Sequence, residues 1–308
     1  LKKIFTSSGL PIKFSGIEGF NHYNSMNLLK GAIQHADKIT TVSPTYAKEI
    51  RTEQYGQGLE KCLEYRGADL IGILNGIDED SWNPEMDSSL KESIIPSLPD
   101  KGKSANKSAL LQEMNLSYNK NIPLFGAVSR LYHQKGLDLL ADALPGIVSN
   151  SPTQFIILGS GDEKEEKRFE KLSKLYPKNI SCFIGFNDGL ARRIFAGTDF
   201  FLMPSRFEPC GLAQQYAMKY GSIPIARRTG GLADTVVDFD EGQNQANGFL
   251  FEKSSSAELN DVIHKAIDLF KRRDSFKKIR QNGLNSQCSW EFAAKQYIEV
   301  YEWALKDK

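Results

Sequence analysis

Four cysteines in 308 residues, Cys62, Cys182, Cys210 and Cys288, stand far apart and never at metal-ligand spacing. Thiols so scattered argue against a disulfide scaffold and for a reducing cytosol. Histidine is as thin: His22, His35 and His264 show no ligand spacing, and His133 reads as a loop residue rather than a catalytic base. No apolar run approaches the ~20 residues that span a bilayer, and no basic segment followed by an apolar run opens the chain. An excess of one charge is missing too. Lysine and arginine (39) nearly balance aspartate and glutamate (38), leaving a net charge of +1 and no general attraction to nucleic acid or a membrane surface. Any anion site must therefore be local. There is no internal repeat, and no initial methionine: the chain opens on Leu1, which points to a processed or excised piece.

What is present is an ordinary globular composition, 40% hydrophobic and 25% charged, long enough for two layered domains. Apolar runs such as "PLFGAVS", "QFIILGSG", "SCFIGF", "DFFLMPS" and "GSIPIAR" alternate with stretches of helical spacing such as "GLDLLADALPGIVS" and "CGLAQQYAMKYG". That alternation predicts an α/β fold, a doubly wound, Rossmann-like parallel sheet covered by helices. Residues 83–107, polar and holding three prolines, read as a long surface excursion.

In open parallel sheets, ligands sit beyond the carboxyl ends of the strands. There "SRLYHQKG" places Arg130 and Lys135, "PSRFEPCGL" places Glu208 with Gly211 and Leu212 opening the next helix, and "RRTGGLAD" places Gly230 and Gly231. Cations, helix starts and glycines that admit close backbone approach together suit a diphosphate. Singly, each piece has an ordinary reading. A loop cation is usually solvated and a Gly-Gly pair usually only a turn. "GSGD" at 159–162 lacks the third glycine of a dinucleotide fingerprint, and Cys210, with no histidine near in sequence, reads as a small buried thiol. The coincidence of three such loops carries the inference.

The motifs "SRLYHQKGLDLL", "PSRFEPCGL", "RRTGGLADTV", "TVSPTYAKEI" and "ILNGIDEDSWNP" resemble those of bacterial glycogen synthases and plant starch synthases, retaining glucosyltransferases of the two-domain GT-B fold. The resemblance implies ADP-glucose as donor, an α-1,4-glucan such as glycogen or starch as acceptor at its non-reducing end, and no metal or other cofactor. It implies that Arg130 and Lys135 neutralise the donor diphosphate and that Glu208 contacts the transferred sugar. Gln134 and Asn75 would line the glucose and acceptor side. Phe186, where many relatives have tyrosine, would stack on the adenine, while the backbone at Cys210, Gly211 and Leu212 and the Thr229-Gly230-Gly231 turn would hold phosphate and sugar hydroxyls.

Two departures refine this. Many retaining relatives outside the branch carry a second glutamate where Tyr216 stands, which favours the glycogen and starch synthases. The family's N-terminal Lys-x-Gly-Gly-Leu loop and an N-domain histidine have no counterpart before Leu1. The expected layout is thus 1–73 as a remnant of the N-terminal domain, 74–289 as the nucleotide-sugar domain, and 290–308 as a helix returning to the first. Two other functions fit the same residues: a retaining GT-B transferase with another nucleotide sugar and a small acceptor, or an inactive glucan-binding remnant.

Overall fold

A computed structural model describes residues 2–16, 18–241 and 244–306. The chain divides into two compact units, Leu1–Asn75 with Glu291–Lys308, and Gly76–Trp290.

The first unit holds α1 (Lys2–Ser8), a short antiparallel pair β1 (Asn21–His22) and β2 (Ser25–Met26), α2 (Leu28–His35), β3 (Ile39–Thr41), α3 (Pro44–Glu49), α4 (Glu60–Tyr65) and β4 (Leu70–Gly72), with β3 and β4 pairing in parallel. The "SPTY" sequence starts α3 for two local reasons. Ser43 accepts a hydrogen bond from the Tyr46 amide, and Pro44 fits the first helical turn, where its missing N–H costs nothing. Ile33, Ala47, Leu59, Leu63 and Leu70 form this unit's main core.

The larger unit is a six-stranded, all-parallel sheet in the order β10-β9-β8-β5-β6-β7. Its helices begin with α5 (Pro99–Glu113); then come β5 (Leu124–Val128), α6 (Leu137–Asn150), β6 (Gln154–Gly159), α7 (Glu163–Leu175), β7 (Ile180–Ile184), α8 (Asp188–Gly197), β8 (Phe200–Met203), α9 (Ala213–Lys219), β9 (Ile223–Arg227), α10 (Gly230–Thr235), β10 (Phe249–Phe251), α11 (Ser256–Lys271) and α12 (Arg273–Leu284). The strands read as continuous apolar runs because both faces are covered. Alternate residues divide between two cores. Phe125, Phe155 and Phe200 stack on one face, with centroids 4.9 and 5.0 Å apart, whereas Leu124, Ile156 and Phe201 face the other. The last helix, α13 (Trp290–Lys306), contributes Ala293 and Val300 to a cluster with Ile73 in the first unit.

The reading of 83–107 as a surface excursion is corrected in its second half. From Pro99 onward the chain is α5, with Lys103, Asn106 and Lys107 buried, and Asn106 ties the preceding loop to it by bonding the Lys91 amide (2.9 Å) and the Glu92 carbonyl (2.6 Å). Polarity misleads here because the buried face is made of lysine stems, glycine and amide rather than hydrocarbon. The sixth strand, β10, also went unpredicted: three residues between polar segments carry too little period to register.

Candidate active site

β5 sits at the centre, and its two neighbours, β6 and β8, are reached by connections running in opposite directions across the sheet. A crevice opens at such a switch point, beyond the carboxyl ends of the strands. The loop after β5 carries Arg130, Gln134 and Lys135, and the loop after β8 carries Glu208.

These two loops are stapled together. Gly136 takes a left-handed conformation (φ +67°), and a Cβ there would lie 1.9 Å from the Pro204 carbonyl oxygen, so only glycine lets the loops abut. Arg206 donates through both terminal nitrogens to Asp138 in the first turn of α6, 2.7 Å each, and also to the His133 carbonyl. Its amide bonds the Gln134 carbonyl (2.8 Å), and the Gln134 side chain reaches the Phe207 carbonyl (3.2 Å). Burial pushes the Asp138 carboxyl up, but the Arg206 hydrogen bond and charge outweigh it and hold the group below the usual carboxylate range.

Glu208 is 6% exposed. Its Oε2 accepts from Lys135 Nζ at 2.6 Å and from Ser205 Oγ at 2.9 Å. The Thr229-Gly230-Gly231 turn packs on the backbone of this acid: the Gly231 amide donates to the Glu208 carbonyl (3.1 Å), and a Cβ on Gly230 or Gly231 would strike the carbonyl oxygens of Glu208 or Cys210 at 2.0 or 1.9 Å. Buried Arg227 donates to the Ser205 carbonyl (2.7 Å), fixing the same loop from beneath. Gly211 has positive φ (+69°), and its carbonyl accepts from the Gln214 side chain at 2.8 Å before Leu212 leads into α9. Thr229 and Cys210 are buried, so what they can offer a ligand is backbone.

Arg130 is exposed and its side chain makes no hydrogen bond or ion pair among the described residues. It lines a cavity of about 220 Å³ with Gly159, Ser160, Gly185, Phe186 and Asn187 at the ends of β5, β6 and β7. Phe186, which follows Gly185, leaves its ring 91% exposed. The structure thus brings Arg130 to Phe186, and Lys135 to Glu208, on whose backbone the glycine turn packs. Asn75 belongs to the other unit. Tyr216 stacks flat on Trp82, centroids 3.8 Å apart. Among the described residues no group of three His, Cys, Asp or Glu side chains is placed to hold a metal, and no helix is long and apolar enough to cross a membrane. Sequence reasoning missed Ser205, Arg206, Asp138 and Arg227. The arginines stood beside residues that drew notice, yet their partners are far off in sequence.

Comparison with known proteins agrees with the motifs. Residues 2–65 match the starch synthase catalytic domain. Over 307 residues the chain is 45% identical to a glycogen synthase of Thermosipho melanesiensis, an alignment covering 99% of this chain and 63% of that protein. The catalytic domain of starch synthase IV from Arabidopsis thaliana, solved with ADP and acarbose, superposes with a TM-score of 0.89 at 35% identity, covering 97% of this chain and 62% of that one. A sucrose-phosphate synthase of Thermosynechococcus elongatus shares the fold at 17% identity and a TM-score of 0.62, over 96% of this chain and 66% of that one. The chain spans less than two thirds of the length of the glycogen synthase it matches. The fold is of the GT-B type. Residues 112–283 match the family of glycosyl transferases group 1, and since that segment is more than half of the sequence, the chain belongs to that family.

Proposed function

We propose that this chain supplies the donor site of an enzyme that transfers glucose from ADP-glucose to the non-reducing end of an α-1,4-glucan with retention of configuration. The observation that carries it is the placement of buried Glu208 against Lys135 at the switch point, with the loop carrying Arg130 and exposed Phe186 beside it. Similarity to glycogen synthases supports the glucan acceptor, and the ADP in the Arabidopsis relative supports an adenine donor. The same similarity to bacterial enzymes supports a cytoplasmic setting.

In this reading the adenine stacks on Phe186 and the diphosphate faces Arg130 and Lys135. The bond between C1 of glucose and the diphosphate oxygen breaks, the acceptor hydroxyl oxygen bonds to C1 from the same face, and its proton leaves with the departing phosphate. Negative charge grows on the leaving group, and fixed cations that need no reorganisation stabilise it. Lys135 is shared: it holds the Glu208 carboxylate in place, and a bound diphosphate competes for the same ammonium, releasing Glu208 to accept from hydroxyls of the transferred glucose. Gln134 serves the sugar side. No metal takes part, since the two cations meet the diphosphate charge.

The test joins this chain to the segment of the Thermosipho glycogen synthase that it leaves unaligned and measures glucose incorporation into glycogen. Transfer from ADP-glucose is expected to exceed that from UDP-glucose. A fusion that binds ADP but transfers from neither donor would sink the turnover reading.

A further inference from the structure

The foot of the large sheet, opposite the strand ends that carry the active site, holds a second concentration of charge. A cavity of about 150 Å³ opens there between α5, the end of α11 and α12. Five cations, Lys107, Lys120, Arg273, Lys277 and Arg280, line it against only two carboxylates, Asp100 and Asp199. Lys103 lies there too, but its ammonium is taken up by the Phe195, Thr198 and Tyr220 carbonyls and the Ser222 hydroxyl, closing the end of α8.

The two acids do not satisfy the five bases. Asp199 Oδ2 is committed to Lys107 (2.6 Å) and to the amide of Leu124 that starts β5 (2.9 Å). Asp100 is half-exposed and bonds Lys277 at 2.6 Å. Arg280, only 6% exposed, stacks over Phe276 and reaches these carboxylates at 3.4 and 3.5 Å, and its Nε has no hydrogen-bond partner among the described residues. Well-made charge-assisted bonds are near 2.7–2.9 Å, and a buried guanidinium without full pairing is costly. Arg273 donates to the Lys120 carbonyl (3.1 Å) and the Asn121 side-chain oxygen (3.4 Å) and stacks over the Phe270 ring (4.1 Å to its centroid), with no carboxylate partner among the described residues, and Lys120 makes no side-chain bond among them.

We propose that this cavity is a binding site for a phosphate group, inorganic or on a small ester, held by Arg280, Arg273, Lys107, Lys120 and Lys277. A tetrahedral dianion offsets the uncompensated charge and offers acceptors in several directions, which suits guanidinium forks and ammonium donors converging from two helices and a loop. The volume admits such an ion with a water or two, each water taking about 30 Å³ of liquid. Because Asp199 also pins the first residue of β5, whose far end carries Arg130, an occupant here acts on a strand shared with the active site.

The test is calorimetric titration of the 308-residue chain with orthophosphate and, separately, with a hexose 6-phosphate, each with saturating ADP present so that the donor loops are occupied. Single-site binding is expected to persist under ADP and to weaken at least about tenfold in the double variant Lys120→Ala/Arg273→Ala. Both replaced residues are exposed, and an unchanged Tm in phosphate-free buffer confirms the variant's fold. Tighter binding of the ester identifies an ester ligand, and equal binding identifies inorganic phosphate. Binding abolished by ADP, binding unaltered in the double variant, or no heat from either probe at millimolar concentration overturns the proposal.

Discussion

Glu208 and Lys135 form a buried acid-base pair whose members respond differently to removal. Glu208→Gln keeps size and burial and both hydrogen-bonding neighbours, yet loses the charge proposed to meet the sugar. Transfer in the fused enzyme is expected to fall at least about a hundredfold, close to 3 kcal/mol of transition-state stabilisation, with Tm nearly unchanged. Near-normal incorporation would remove Glu208 from the chemistry. The two cations separate in another way. Arg130 makes no ion pair among the described residues, so Arg130→Ala is expected to weaken ADP binding much more than AMP binding while leaving stability alone. Lys135→Ala strands the Glu208 carboxylate, which is 7% exposed at its side chain, and should also lower stability by roughly 2 kcal/mol. Calorimetry with both nucleotides and a melting curve for each variant decide this. Equal losses for ADP and AMP would make both side chains structural. At this scale Arg130, Lys135 and Glu208 stood out as candidates because each sits in a loop directly after an apolar run. Asp138 and Arg206 were not, because a pair 68 residues apart has no local signature.

Among the elements, α9 shows how the site is braced and how pH should act on it. Tyr220, which caps its C-terminus, donates to Asp87 Oδ2 at 2.6 Å, and Arg192 of α8 donates to the same oxygen at 3.2 Å while stacking over Trp82. Burial pushes the Asp87 carboxyl up, and the bonds from Tyr220 and Arg192 more than reverse it, leaving the group below its ordinary value. Burial and the neighbouring Asp87 push the Tyr220 phenol well up. The depressed carboxylate contributes stability that is present above the unfolded Asp value near 4 and lost as pH falls below it. The raised phenol contributes stability that is present below about 10 and lost above. Tyr220→Phe is expected to cost about 2 kcal/mol at neutral pH, several degrees in Tm, and to flatten both limbs of the pH profile. A variant whose melting profile from acid to alkaline pH parallels the parent would refute the brace. The loop bearing Asp87 belongs to the stretch read from sequence as an excursion. Its anchoring was invisible because tyrosine, arginine and buried lysine stems take the place of a periodic apolar face. Five of the six strands of the large sheet, β5 to β9, were by contrast read almost where they lie, since burial on both faces leaves unbroken apolar runs.

For the whole molecule, the residues proposed for the donor site, Arg130, Lys135, Phe186, Glu208 and the Gly230-Gly231 turn, lie within Gly76–Trp290, while Asn75 and most of α13 belong to the other compact unit. Sequence periodicity showed that the sheet existed but not the order of its strands, and it is that order, with β5 between β6 and β8, that gathers the loops. If they form one ADP site, bound ADP must stabilise the larger unit by mass action. At a hundred times its dissociation constant it adds about 2.7 kcal/mol, which for a unit of this size is roughly 5–10 °C in Tm. Hydrogen exchange should show added protection in 129–136, 185–188, 205–212 and 229–231, with AMP protecting 185–188 but little of 129–136. Because Arg130 and Lys135 rather than a metal are assigned the diphosphate charge, excess EDTA should leave both the Tm shift and the exchange pattern unchanged. Loss of the shift in EDTA would put a cation in the donor site. Protection by ADP confined to residues outside 76–290 would show that the switch-point crevice is not where the nucleotide binds.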